Sequence, residues 1–67
     1  MDTFDVWNEC KLGSFSSVNL FLDLFPLEVD IRNELYQTPL MICAIFDRGN
    51  VADLLLSRGA NANLRDE

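Results

Sequence analysis

Thr38-Pro39-Leu40-Met41-Ile42-Cys43-Ala44 is the stretch from which this chain is read. Thr38 before Pro39 is a helix start with a mechanism. The threonine hydroxyl can accept from a free backbone N–H of the first turn, and proline at the first helical position gives up only an N–H that lacks an intrahelical partner anyway. Leu40, Cys43 and Ala44 then recur at helical spacing, and a second apolar run follows at Leu54-Leu55-Leu56. Gly59-Ala60-Asn61-Ala62-Asn63 closes it. The reading is a helix over Pro39 to Asp47, a short turn, a second helix over Asn50 to Ser57, and a glycine stop.

These residues resemble an ankyrin repeat, whose pattern runs T-P-L-H-x-A-A, then a helix ending L-L-L-x-x-G-A, then D-V-N. Thr38-Pro39-Leu40, Ala44, Leu54-Leu55-Leu56, Gly59-Ala60 and Asn63 fall on the matching positions without a gap. A T-P-L alone is a weak signal. Followed at these distances by L-L-L, G-A and N, it is a specific one.

Working outward, the first half repeats the second. Val6 falls on Leu40, Cys10 on Ala44, Val18 on Ala52, and Leu20-Phe21-Leu22 on Leu54-Leu55-Leu56, an offset of 34. Asp30 falls on Asn63 at an offset of 33, the ankyrin period. The expected organisation is a diverged amino-terminal capping repeat over 1–33, an ankyrin repeat over 34–66, and the start of a following finger over 62–67. The fold class is all-α: two stacked helical hairpins of ankyrin type, with an extended finger loop between them.

In the first copy a helix is expected over Thr3 to Leu12, capped by Asp2 or Thr3 and stopped by Gly13. A second helix opens at Ser14 or Ser16 and runs to Phe25, where Pro26 forbids continuation. An extended, polar-rich connection spans Leu27 to Gln37. Arg58 sits near the negative end of the fourth helix.

Three departures from the family pattern stand out. Tyr36 occupies the place of a finger glycine, where positive φ is costly for a tyrosine. Either the finger takes another turn or the ring is there for contact. Met41 stands where the family has histidine. Asp47 takes the inter-helix glycine position, with Gly49 two residues later.

Composition bounds the rest. A chain of 67 residues makes at most one domain, with a marginal core. Its net charge of −6 argues against nucleic acid and anionic membrane as partners. The most apolar window, Leu20 to Leu27, holds Asp23 and Pro26 and is too short to span a bilayer. The acidic amino terminus has none of the marks of a signal peptide. Cys10 and Cys43 read as buried thiols rather than a disulfide, and with the absent targeting signals they suggest an intracellular protein, cytoplasmic or nuclear.

Chemistry finds little to stand on. The chain has no histidine, so the commonest general base and metal ligand are missing. Two cysteines alone cannot build a structural zinc site. Ser14, Ser16 and Ser17 have no partner to activate them. Gly13, Gly49 and Gly59 are dispersed helix stops rather than a phosphate loop. No catalytic residue, cofactor or metal is expected.

Binding is the function that the resemblance implies. Ankyrin stacks use finger tips and the exposed side of the inner helices. Carried onto this chain, that gives Glu34, Leu35, Tyr36 and Gln37 in the finger, and Met41, Ile45 and Phe46 on the inner helix. Ile45 and Phe46 are apolar where the family is polar or variable, which suggests a contact surface. Phe46 could equally fold over the core edge or touch Trp7, and Trp7 reads first as a core or edge aromatic, with an interface anchor as the alternative. The expected partner is another protein or further ankyrin repeats, as the amino-terminal part of a longer repeat protein. The alternative is a structural cap or self-associating unit, with homo-oligomer formation through a carboxy-terminal flank of Ala52, Leu55 and Leu56.

Overall fold

The computed structural model describes residues 4–65, and all of its regular structure there is helical. Four α-helices run α1 (Val6–Leu12), α2 (Phe15–Leu24), α3 (Pro39–Phe46) and α4 (Gly49–Ser57), with a 3-10 turn at Pro26–Glu28. The helices form two hairpins, α1 on α2 and α3 on α4, stacked so that α1 packs on α3 and α2 on α4.

Each start and stop has a local cause. Asp5 is extended and its carboxylate accepts from the Asn8 N–H, so α1 begins at Val6. The expected caps Asp2 and Thr3 lie outside the described residues. Gly13 ends α1 in the left-handed conformation at φ 75°. Ser14 precedes α2 without a side-chain capping bond, and Phe25 already has a non-helical φ of −133°. Thr38 caps α3 as its sequence predicts, its hydroxyl accepting from the Met41 N–H at 3.3 Å, with Pro39 in the first turn. Asp47 accepts the left-handed position at φ 59° in place of a glycine, and α4 starts directly at Gly49.

The core consists of Val6, Cys10, Val18, Leu22, Val29, Ile42, Cys43, Val51, Leu54 and Leu55. It shows the true internal register. Cys10 and Cys43 are both buried, Val18 pairs with Val51 and Leu22 with Leu55, each pair 33 residues apart. The expected superposition of Leu20-Phe21-Leu22 on Leu54-Leu55-Leu56 is therefore off by one. Leu20 is exposed where Leu54 is buried, and Leu22 is buried where Leu56 is exposed. The cause is α2 itself, apolar on more than one side, so that a triplet of apolar residues does not say which side faces inward.

The connection from Leu27 to Gln37 is less extended than expected. Pro26 opens a 3-10 turn instead of ending helical structure outright, and Val29 tucks under it into the core. Leu55, assigned to the outer flank by its sequence, is wholly buried, leaving the half-buried Ala52 and the exposed Leu56 outside.

Candidate interaction surface

The finger is a turn built around Asn33. Its backbone N–H donates to the Gln37 carbonyl at 3.0 Å and its own carbonyl accepts from the Tyr36 N–H at 2.9 Å. Its side-chain oxygen accepts from the Leu35 and Gln37 N–H groups, both at 2.9 Å. An asparagine that satisfies two backbone donors stabilises a tight turn without a glycine. This arrangement holds Tyr36 at φ 66°, a conformation that costs a residue with a Cβ about 1–2 kcal/mol.

Arg32 helps hold it there. Its guanidinium donates to the Tyr36 carbonyl at 2.7 Å and lies 4.4 Å from the centre of the Tyr36 ring. The same nitrogen donates to the Arg65 carbonyl at 2.8 Å, tying this finger to the segment after α4. Of the two sequence alternatives for Tyr36, the finger keeps the positive-φ turn, and the ring makes a contact as well.

Of the seven predicted site residues, Glu34, Leu35, Tyr36, Ile45 and Phe46 are exposed, while Gln37 and Met41 are half-buried. Met41 and Ile45 stand one helical turn apart on one side of α3. Phe46 remains 40% exposed and Ile45 57%. Phe46 reaches toward the first hairpin, where the Lys11 ammonium lies 5.3 Å from its ring centre. Both aromatic rings of the surface thus carry a cation on one face, a contact that contributes about 0.5–1 kcal/mol at exposed sites.

Sequence reasoning missed the supports. Trp7 packs against the core and donates its indole N–H to the Gln37 carbonyl at 2.9 Å, linking the first hairpin to the second finger. Arg48 lies along Gly13 and donates to the Lys11 carbonyl at 2.9 Å. Arg58 donates to Asn19 at 2.6 Å and to Asp23 at 2.7 Å. These bonds join residues 30 to 39 positions apart, and nothing in the local pattern announces them.

Cys10 and Cys43 are free thiols, fully buried on facing helices. Cys10 is held well above the ordinary thiol pKa, first by its hydrogen bond to Cys43 and then by burial. The same bond, with Arg48, draws Cys43 below the ordinary value against the opposing effect of burial, and both side chains are sealed in the core. Among the described residues no helix is long and apolar enough to cross a membrane.

Residues 36–67 match the family model described as ankyrin repeat. The chain also resembles the nuclear factor NF-kappa-B p105 subunit of Gallus gallus, at 47% identity over 38 residues. That similarity covers 57% of this chain and 4% of the relative, so the chain spans only a small segment of the relative's length. No solved structure matches the chain. Asn33, which shapes the finger, lies before the matched stretch, and the whole second hairpin lies within it.

Proposed function

We propose that this chain, whose residues 36–67 are an ankyrin repeat, is a non-catalytic module that binds a partner protein through its finger and inner-helix surface. The finger contributes Glu34, Leu35, Tyr36 and Gln37, and α3 contributes Met41, Ile45 and Phe46. Ankyrin repeats are in general protein-interaction modules, which supports this class of function.

One observation carries the reading furthest. Ile45, Phe46, Leu35 and Tyr36 are large apolar or aromatic side chains, and all four are left in solvent by a chain too small to waste apolar burial. Exposed aromatics on a rigid support are what interface anchors look like. Tyr36 is supported by a strained turn and Phe46 by a helix, so neither needs ordering on binding.

The two free, buried thiols support an intracellular setting. The exposed Leu56 beside Ala52 supports further ankyrin repeats, or a second copy, on the carboxy-terminal flank of the stack. In that reading the chain is the amino-terminal part of a longer repeat protein. The second reading, a structural cap that self-associates, rests on the same Leu56.

The test is partner capture by the chain with Phe46→Glu and, separately, Tyr36→Gly. Glycine is chosen over alanine because it keeps the positive-φ turn. Loss of capture with unchanged helicity is expected, and undiminished capture would refute this surface. For the second reading, a folded monomer at micromolar concentration by sedimentation would exclude self-association.

A further inference from the structure

The molecule has a second apolar surface, away from the finger. Ser17, Leu20, Phe21 and Leu24 share one side of α2 by helical spacing. Asn19 and Asp23, on a different side, reach Arg58 at the end of α4. The Leu20–Leu24 side is therefore turned away from the second hairpin. Phe4 stacks on Phe21 at 5.4 Å between ring centres, and Phe25 lies 5.5 Å from Phe21. Together they line an apolar groove. A second depression continues it past Leu24 and Phe25 to Leu27 and Glu28, and Leu27 is 94% exposed.

The charge around the groove selects its occupant. Its one charged lining residue is Glu28, Asp5 adjoins Phe4, and Asp23 adjoins Leu24. No cation lines it. Lys11 lies on Phe46, Arg32 on Tyr36, Arg48 on the Lys11 carbonyl, and Arg58 on Asn19 and Asp23. Asp23 is paired with Arg58, so the negative charge at the groove is that of Glu28, with Asp5 next along the chain. A second copy of this chain would bring another −6 to it, and an anionic membrane would be repelled. The side of a ten-residue helix is about 15 Å long, enough for about three turns of another helix.

We infer that the Phe4–Leu20–Leu24–Phe25 groove is a docking site for a cationic amphipathic helix of another polypeptide, separate from the finger surface. The apolar ridge of that helix fills the groove in the i, i+3, i+4, i+7 manner, and its lysines or arginines face Glu28 and Asp5. The inference does not depend on the finger reading, and each can fail alone.

The test uses the full chain and three labelled peptides followed by fluorescence anisotropy: a Lys/Leu amphipathic helix, its Glu/Leu counterpart, and a Lys/Leu peptide of scrambled order. Leu20→Glu and Leu24→Glu, both at positions more than half exposed, should each weaken binding of the first peptide by about tenfold or more. Ile45→Glu should leave it unchanged. Mere adhesion of a cation to an acidic protein would tighten with the added carboxylate, so tighter or unaltered binding overturns the proposal. So does equal binding of the Glu/Leu or the scrambled peptide, or loss of binding in Ile45→Glu alone. A sedimenting dimer that dissociates in Leu24→Glu would give the groove to a second copy instead. Leu20→Gln and Leu24→Gln, with helicity checked by circular dichroism, repeat the measurement without added charge.

Discussion

Trp7 donates its indole N–H to the carbonyl oxygen of Gln37, 2.9 Å away and 30 positions on in the chain. The same carbonyl accepts from the Asn33 N–H at 3.0 Å. A side chain of the first hairpin thus closes the turn that presents Tyr36 in the second. Trp7 is the sole tryptophan of the chain, so its fluorescence reports this junction directly.

Trp7→Phe keeps most of the packing and removes the N–H. The Gln37 carbonyl retains Asn33, so it is not orphaned. The expected loss is about 0.5–1.5 kcal/mol, with the urea midpoint falling at unchanged m-value. A variant as stable as the parent would mean that the bond contributes nothing net.

The fold was legible where its causes are local. Thr38-Pro39 starts a helix by cap and ring geometry alone, Gly13 stops one, and the T-P-L to L-L-L to G-A spacing specifies the second hairpin. The register of α2 was not, because Leu20, Phe21, Leu22 and Leu24 are all apolar, and only packing against Val51 and Leu55 decides that Val18 and Leu22 turn inward. For the finger, the sequence marks Tyr36 as a costly residue at a positive-φ place. That the turn keeps this conformation depends on Asn33 and Arg32 bonding, which no spacing shows. Arg58 reads as a helix-end cation, yet its partners are Asn19 and Asp23, more than thirty residues back.

Asp47 sits at φ 59° directly after α3. Aspartate tolerates that conformation better than most residues, yet still less well than glycine. Its charge also faces the negative end of the helix. Asp47→Gly removes both penalties and is expected to stabilise by about 1 kcal/mol, raising Tm by about 4–8 °C for a domain of this size. Asp47→Val, β-branched at the same φ, should lower it. Calorimetry on the two variants checks the sign of both.

Gly13 makes the opposite case. Its φ is 75°, and a Cβ built there would lie 3.2 Å from Cδ of Arg48, whose Nε donates to the Lys11 carbonyl. Gly13→Ala is expected to cost about 1–2 kcal/mol in backbone strain, and more if Arg48 must leave its carbonyl. Arg48→Ala in the same background tells the two apart. It should relieve the contact with the new methyl group and leave the strain, so the double variant should lose less than the two single losses added together.

Of the two buried thiols, Cys10 sets a pH limit, while Cys43, lowered by their shared bond, adds stability as pH rises toward about 9. Cys10 is raised above the ordinary value near 9.0 by its hydrogen bond to Cys43 and by burial. As pH rises through about 9, the unfolded chain loses this proton while the folded chain keeps it. The unfolded state then binds fewer protons, so unfolding becomes easier with pH. Stability from this thiol is complete below the unfolded-state value and falls above it, with a limiting slope of about 1.4 kcal/mol per pH unit. Urea titrations between about pH 9 and pH 10.5 should show the decline. Cys10→Ala, less stable at neutral pH because of the cavity it leaves, should show a flatter profile. Parallel curves for the two proteins would mean that the decline arises from other groups, and that the Cys10 proton is not held by the fold.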